Sequence, residues 1–244
     1  MIYILSHKIR NNIEGFWKEG NNANIKIIYN FGENEPPVSY FSYELKAHSL
    51  THCESEKHVV KDSISLDKLL EKKPEYFVGN CLLLKFKKNF NKISENKLLQ
   101  IIELGDFLNK INALNLSLIP QKILFTLEEY PTNEYGYHHP DYILLISEEL
   151  ARYLVVNYKL NLYGTSWIST DYQPNSKERP IHKILLKNGV IFECLNLLNV
   201  PEGFYFFCGI PNYLDSTSES AVTPVLINQD YIAKENYLSR IKHF

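Results

Sequence analysis

Alternating apolar and polar positions open the chain. Residues 24–29 (Asn-Ile-Lys-Ile-Ile-Tyr) and 38–47 (Val-Ser-Tyr-Phe-Ser-Tyr-Glu-Leu-Lys-Ala) carry the period-2, β-branched and aromatic pattern of strands. Glu33-Asn34-Glu35-Pro36-Pro37 between them reads as a turn. A short helix is predicted over Ser65–Glu71, an apolar strand over 76–87, a helix from Glu95 to Ile111 and a buried strand over Lys122–Leu127. Ser147 is a plausible N-cap, with Glu148 and Glu149 well placed in the first turn. Leu150, Ala151, Leu154, Val155 and Tyr158 then share one helical face. A strand over Leu160–Thr165, a helix over Ile181–Lys187 and a strand over Gly189–Cys194 follow. Strands at Phe204–Ile210 and Ala221–Ile227 complete the pattern. The expectation is an α/β fold with a mixed sheet and short connections.

Size and charge narrow the function classes. A chain of 244 residues can bury a sizeable core, and 45% hydrophobic with 22% charged residues suits a globular enzyme. A formal net charge of -2 gives no basic field for nucleic acid. The basic run Lys85-Phe86-Lys87-Lys88 reads as a solvated strand end. The N-terminus turns polar after a very short apolar stretch, so it reads as neither a signal peptide nor a membrane span. Cys53, Cys81, Cys194 and Cys208 form no CxxC pair, and reduced thiols in a cytoplasmic protein are expected.

The chemistry concentrates in His48-Ser-Leu-Thr-His52-Cys-Glu54-Ser-Glu-Lys-His58. His52 and Glu54 would share one side of an extended segment, and His48 and His52 one face of a helix. Because the stretch follows a strand, extended or looped geometry is expected. Imidazole nitrogen with carboxylate oxygen suits zinc, manganese or iron(II). Glu193, in an apolar strand, needs a metal or hydrogen-bond partner. His182 by itself reads as a surface or helix-capping histidine. His138 and His139 read as solvated loop residues, His7 and His243 have no evident company, and Cys53 and Cys194 read as small buried residues. GxSxG elbows, phosphate loops and Rossmann glycines are absent.

The stretch resembles the HxGTHxDxPxH signature of the cyclase family, which includes bacterial kynurenine formamidases and isatin hydrolases. His48, Thr51, His52 and His58 match it. The resemblance continues, in order, through His139–Leu154, Leu162–Asp171, Pro180–Leu186 and Gly189–Leu195. It implies a single domain over 1–244 with a barrel-like β-sheet core and flanking helices, of the swivelling β/β/α type. It also implies one or two divalent ions, zinc or manganese, on His48, His52, Glu54, His182 and Glu193, with His58 as general acid/base. Trp17 and Phe16, with Trp167 and Ser169, become candidate substrate contacts, although Trp17 equally suits core packing.

Hydrolysis of an amide, lactam or ester bond of a small molecule is the expected reaction, in a homodimer or homotetramer. A non-catalytic relative that binds a ligand, or a biosynthetic cyclase or dehydratase on the same site, are the alternatives. Departures from the signature motivate them. Glu54 is one methylene longer than the motif Asp, Leu50 replaces Gly, and Glu56 replaces Pro. Ser166-Trp167-Ile168 replaces Asp-Thr-Pro further on.

Overall fold

The computed structural model describes residues 1–17, 20–31, 36–172 and 178–228. Its strands are β1 (Ile2–Ile4), β2 (Ala23–Tyr29), β3 (Tyr40–Leu45), β4 (His52–Glu54), β5 (Val78–Phe86), β6 (Asn91–Ser94) and β7 (Lys97–Ile102). After these come β8 (Lys122–Leu127), β9 (Tyr142–Ile146), β10 (Leu162–Thr165), β11 (Val190–Glu193), β12 (Gly203–Cys208), β13 (Glu219–Ala221) and β14 (Val225–Asn228). The α-helices are α1 (Leu66–Lys72), α2 (Leu104–Ala113), α3 (Glu148–Tyr158) and α4 (Pro180–Leu186).

Nine strands form one mixed sheet in the order β1-β14-β12-β5-β8-β10-β11-β4-β13. The central strands β5, β8, β10 and β11 run parallel. Both faces of this region are covered, which explains why their sequences are nearly continuous apolar runs. The period of two still sorts their side chains. Leu82, Leu84, Ile123, Phe125, Tyr163 and Ile191 join the core that packs on α2, α3 and α4. Cys81, Leu83, Leu124, Leu162, Val190 and Phe192 enter a second core with Leu5, Leu66 and Phe207.

The ends of the sheet are forced together. β13 lies at one edge and β14 beside the other, yet only Val222–Pro224 separates them. Such a link spans at most about 14 Å, so the sheet must curl into a half-barrel. Pro224 cannot donate to a ladder, and its carbonyl instead accepts from the Leu5 N–H at 2.9 Å. The predicted single strand over 221–227 is therefore two strands at opposite ends of the sheet, β13 at one edge and β14 next to the other.

Residues 95–111 also differ from expectation. A helix occupies only Leu104–Ala113, opened by a capping box between Glu103 and Asp106. The preceding Lys97–Ile102 is β7, which pairs antiparallel with β6 and parallel with β9. Gln100 is buried, its amide bonded to Lys87 O and its oxygen to Asn89 N. That anchorage and the β9 ladder override the helix-favouring Leu, Lys and Gln. The short strands β1 and β9 also lie outside the sequence-based expectations. The turn expected at 33–37 falls largely on residues outside those described, as does His243.

β2 and β3 form a separate two-stranded sheet. Among the described residues, no helix is long and apolar enough to cross a membrane.

Candidate metal centre

β4 and β11 pair antiparallel with His52 opposite Glu193, Cys53 opposite Phe192 and Glu54 opposite Ile191. Cys53 and Phe192 point into the second core. Alternation therefore turns His52, Glu54 and Glu193 to the other face together. This is the extended geometry expected for His52 and Glu54. β13 continues the sheet with Glu219 opposite Glu54, on the same face. His48 arrives on a 3-10 turn at Ala47–Ser49, His58 on another at Glu56–His58, and His182 from α4.

These side chains converge on Glu54. Its Oε1 lies 3.5 Å from His48 Nδ1, 3.2 Å from His52 Nε2 and 3.5 Å from His58 Nε2. Its Oε2 lies 3.4 Å from His182 Nε2, which is also 3.4 Å from Glu193 Oε1. Glu193 Oε2 is 3.7 Å from His52 Nε2. His52, Glu54, His182 and Glu193 are fully buried.

The outward nitrogens are tied. His52 Nδ1–H donates to Leu50 O at 2.7 Å, and His182 Nδ1–H to Asp171 Oδ2 at 2.7 Å. This leaves both Nε2 lone pairs aimed inward, the arrangement that metal-binding imidazoles use. Burial resists charge on either ring. The Cys194 thiol and Glu54 carboxylate beside His52, and the Asp171, Glu193 and Glu54 carboxylates around His182, outweigh it and hold both pKa values well above the ordinary range. Burial likewise opposes ionisation of Glu54, but the facing His182, His48 and His52 hold its carboxyl well below its usual range.

The donor set fits a divalent cation. Among the described residues, Glu54 Oε2, both Glu193 oxygens, His48 Nδ1 and His182 Nε2 are buried without a hydrogen-bond partner. Orphaned carboxylate oxygens in a dry interior cost several kcal/mol each unless a cation compensates them. Ligand atoms of His48, His52 and Glu54 lie within 4.8 Å of one another, as do those of Glu54, His58 and His182.

The departures from the signature are accommodated locally. Leu50 has φ -123° and ψ 179°, ordinary extended backbone, and its side chain is buried. No glycine is required there. Glu56 accepts a hydrogen bond from Ser63 Oγ. Thr51 Oγ1 donates to Cys194 O at 2.7 Å and accepts from His7 N at 3.2 Å, pinning the loop to the end of β11.

Trp17 packs on the centre from outside: its indole N–H donates to His48 O at 3.2 Å, with ring centroids 5.2 Å apart. Phe16 meets Tyr137 edge-on at 5.7 Å. Trp167 is buried with its N–H on Pro140 O, and buried Ser169 accepts from Arg179. A cavity of about 480 Å³ opens beside His48 and Glu219, with Lys46, Lys57 and Ser216 on its walls. A larger one, about 630 Å³, lies against α2, remote from all six predicted metal and proton-transfer residues. Chemistry, not size, picks the former.

Two residues that bond the cluster's histidines were not assigned from sequence. Asp171 orients His182; a carboxylate shortly before a helix was the available signal. Glu219 bonds His58, and the polar alternation Ser218-Glu219-Ser220 was the only hint. His138 and His7 correct the reading as unattended loop residues. His138 is 1% exposed, bonded to Ser166 Oγ at 3.0 Å and stacked on Tyr130; His7 is buried against Tyr137.

Several solved structures share this curled mixed α/β fold. Isatin hydrolase A from Labrenzia aggregata, bound to benzyl benzoate, superposes with a TM-score of 0.76 over 94% of each chain at 16% identity. A predicted metal-dependent hydrolase from Bacillus stearothermophilus gives 0.64 at 20% identity, covering 93% of this chain and 97% of the other. A potential metal-dependent hydrolase with cyclase activity gives 0.63 at 19% identity over 93% and 96%. No protein-family model matches the chain, and no curated protein matches it in sequence.

Proposed function

We propose that this chain is a metal-dependent hydrolase that cleaves an amide, lactam or ester bond of a small molecule, in the manner of arylformamidases and isatin hydrolases. His48, His52, Glu54, His182 and Glu193 hold one or two divalent ions, zinc or manganese. The observation that carries this reading is the set of unpartnered carboxylate oxygens on Glu54 and Glu193 facing imidazole nitrogens whose opposite nitrogens are already bonded. A structural ion-pair cluster would satisfy those oxygens instead.

A divalent ion bound there supplies Lewis acidity and brings the pKa of water towards about 7. The protein supplies the proton path. His58 is partly exposed, with Nε2 directed at Glu54. It takes a proton from the attacking water and returns it to the leaving nitrogen or oxygen. Trp17, packed against His48, offers aromatic surface to the substrate, with Phe16, Trp167 and Ser169 as further candidate contacts. An exposed apolar hairpin, including Ile27, Phe31, Phe41 and Tyr43, supports a homodimer or homotetramer. The four free thiols suit a cytoplasmic setting.

The test is metal analysis of purified protein, then chelation and reloading with zinc or manganese. Turnover of isatin, formylkynurenine or a simple lactone is followed throughout. Activity should require the metal, and His58→Ala should abolish it with metal content intact. Absence of stoichiometric metal, with no loss of thermal stability under chelator, would replace this reading with that of a binding protein.

A further inference from the structure

We propose that Glu219 is the positioning residue for His58, fixing the ring orientation and tautomer that direct Nε2 into the metal centre. The inference rests on the hydrolase reading for its catalytic consequence, but not for its geometry. Glu219 Oε2 accepts from His58 Nδ1 at 2.7 Å, the shortest contact of the His58 ring, while Nε2 faces Glu54 Oε1 at 3.5 Å. One imidazole thus bridges a carboxylate outside the cluster and one inside it.

The backbone is built to hold this pair. The segment carrying Glu219 is laced to the segment carrying His58 at several points. Ser55 N–H and Oγ both donate to Ser218 O, at 2.9 and 3.1 Å. Lys57 Nζ donates to Ser216 O at 2.9 Å, and Leu66 N–H to Thr217 O at 2.8 Å. Ser218 Oγ adds a hydrogen bond to Glu219 Oε2 at 3.1 Å, restricting the carboxylate itself. Cross-strand pairing with Glu54 sets its direction.

Two other roles are weaker. The pair is only partly buried, with side chains at 16% and 28%, so an ion pair there contributes modest stability, which does not by itself account for the bracing. Glu219 could serve as an outer metal ligand with His48 and His58, whose donor atoms lie within 4.8 Å of its own. That would require His58 to give up the bond to Glu219 or the role of proton carrier. The short Nδ1–Oε2 bond favours positioning. An imidazole with Nδ1–H donated outward keeps a lone pair on Nε2, the form a general base needs.

Zinc-loaded protein carrying ¹⁵N-labelled histidine tests this directly. Long-range ¹H–¹⁵N correlations, assigned with His58→Ala, should show the Nδ1–H tautomer in the wild type. Glu219→Gln, whose amide oxygen accepts the same bond, should retain it, and Glu219→Ala should move His58 towards a tautomer mixture. Zinc stoichiometry should be unchanged in both variants. With isatin, or whichever probe the wild type hydrolyses, Glu219→Ala should lower kcat at least about tenfold at nearly constant KM, with Glu219→Gln restoring much of the loss. An unchanged tautomer in Glu219→Ala overturns the proposal, and so does lost zinc, which would make Glu219 a ligand. If the wild type turns over no probe, the hydrolase reading fails, while the nitrogen spectrum still decides how His58 is held.

Discussion

Asp171 grips His182 twice: one oxygen, Oδ2, accepts both the imidazole Nδ1–H at 2.7 Å and the backbone N–H at 3.0 Å. Its other oxygen accepts the Ile181 N–H at 3.2 Å. A single carboxylate therefore caps the start of α4 and aims the ring that α4 carries. Burial resists its ionisation, but the His182 and Ile181 bonds prevail and hold its pKa below the ordinary range.

Asp171→Asn should consequently act on the metal more than on the fold. The amide can cap the helix but cannot accept from both groups as strongly. Metal affinity should fall roughly 10- to 100-fold, as for other outer-shell partners of ligating histidines. The cap contribution lost should stay near 1 kcal/mol. Chelator competition and thermal denaturation of the metal-free protein measure the two effects separately.

Metal stabilisation should grow with pH. In the metal-free protein, His52 and His182 have raised pKa values. Their protonated forms contribute stability that is fully present below about 6.5, the unfolded imidazole value, and is lost as pH rises through the folded values. A metal needs the neutral rings, so acid competes with it. The gain in melting temperature on adding zinc should be larger at pH 8 than at pH 6, and binding should release protons, readable by calorimetry in buffers of different ionisation enthalpy. A gain that shrinks with pH would remove these rings from the ligand set.

Sequence and structure agree where one face of a short element carries the information. The His52-Cys53-Glu54 alternation was readable as extended because a period of two separates polar side chains from a core cysteine. β8 and β11 were readable as dense apolar runs. What could not be read were relations between distant segments. Lys97–Ile102 looks helical by propensity, and its strand partner β9 lies beyond an intervening helix and strand. His138 looks solvated because Tyr130 and Ser166, which bury it, are joined to it only by the fold. The candidate ligands His182 and Glu193 were reached through resemblance to a family, since α4 and β11 show no local sign that they meet β4.

The buried His138 predicts an acid weakness unconnected with the metal. Burial drives its pKa down to about 3. The unfolded chain takes up a proton below about 6.5 that the folded chain refuses, so stability is full above that pH and falls as pH drops towards 3. Between pH 6.5 and 4 the loss approaches about 3 kcal/mol, at ~1.4 kcal/mol per pH unit. His7, lowered to about 4 by burial and then by Arg10, adds in the same direction. His138→Gln should start less stable at pH 7 yet lose less between pH 6.5 and 4, measured by urea denaturation. Parallel curves for the two proteins would refute this assignment.

Trp17 offers an optical report on the centre. Its ring lies 5.2 Å from that of His48, and its N–H holds the His48 carbonyl. A paramagnetic ion such as manganese or cobalt, bound through His48, would sit close enough to quench the indole. Fluorescence should drop on titration with either ion and saturate at the binding stoichiometry. Trp17→Phe should remove most of that response and leave the emission of Trp167, which is buried with its N–H on Pro140 O. The titration should also vanish in His48→Ala if His48 is a ligand, because the ion would then be lost or displaced from the indole. Quenching that survives Trp17→Phe would place the ion nearer Trp167, and the ligand set around His48 would have to be redrawn.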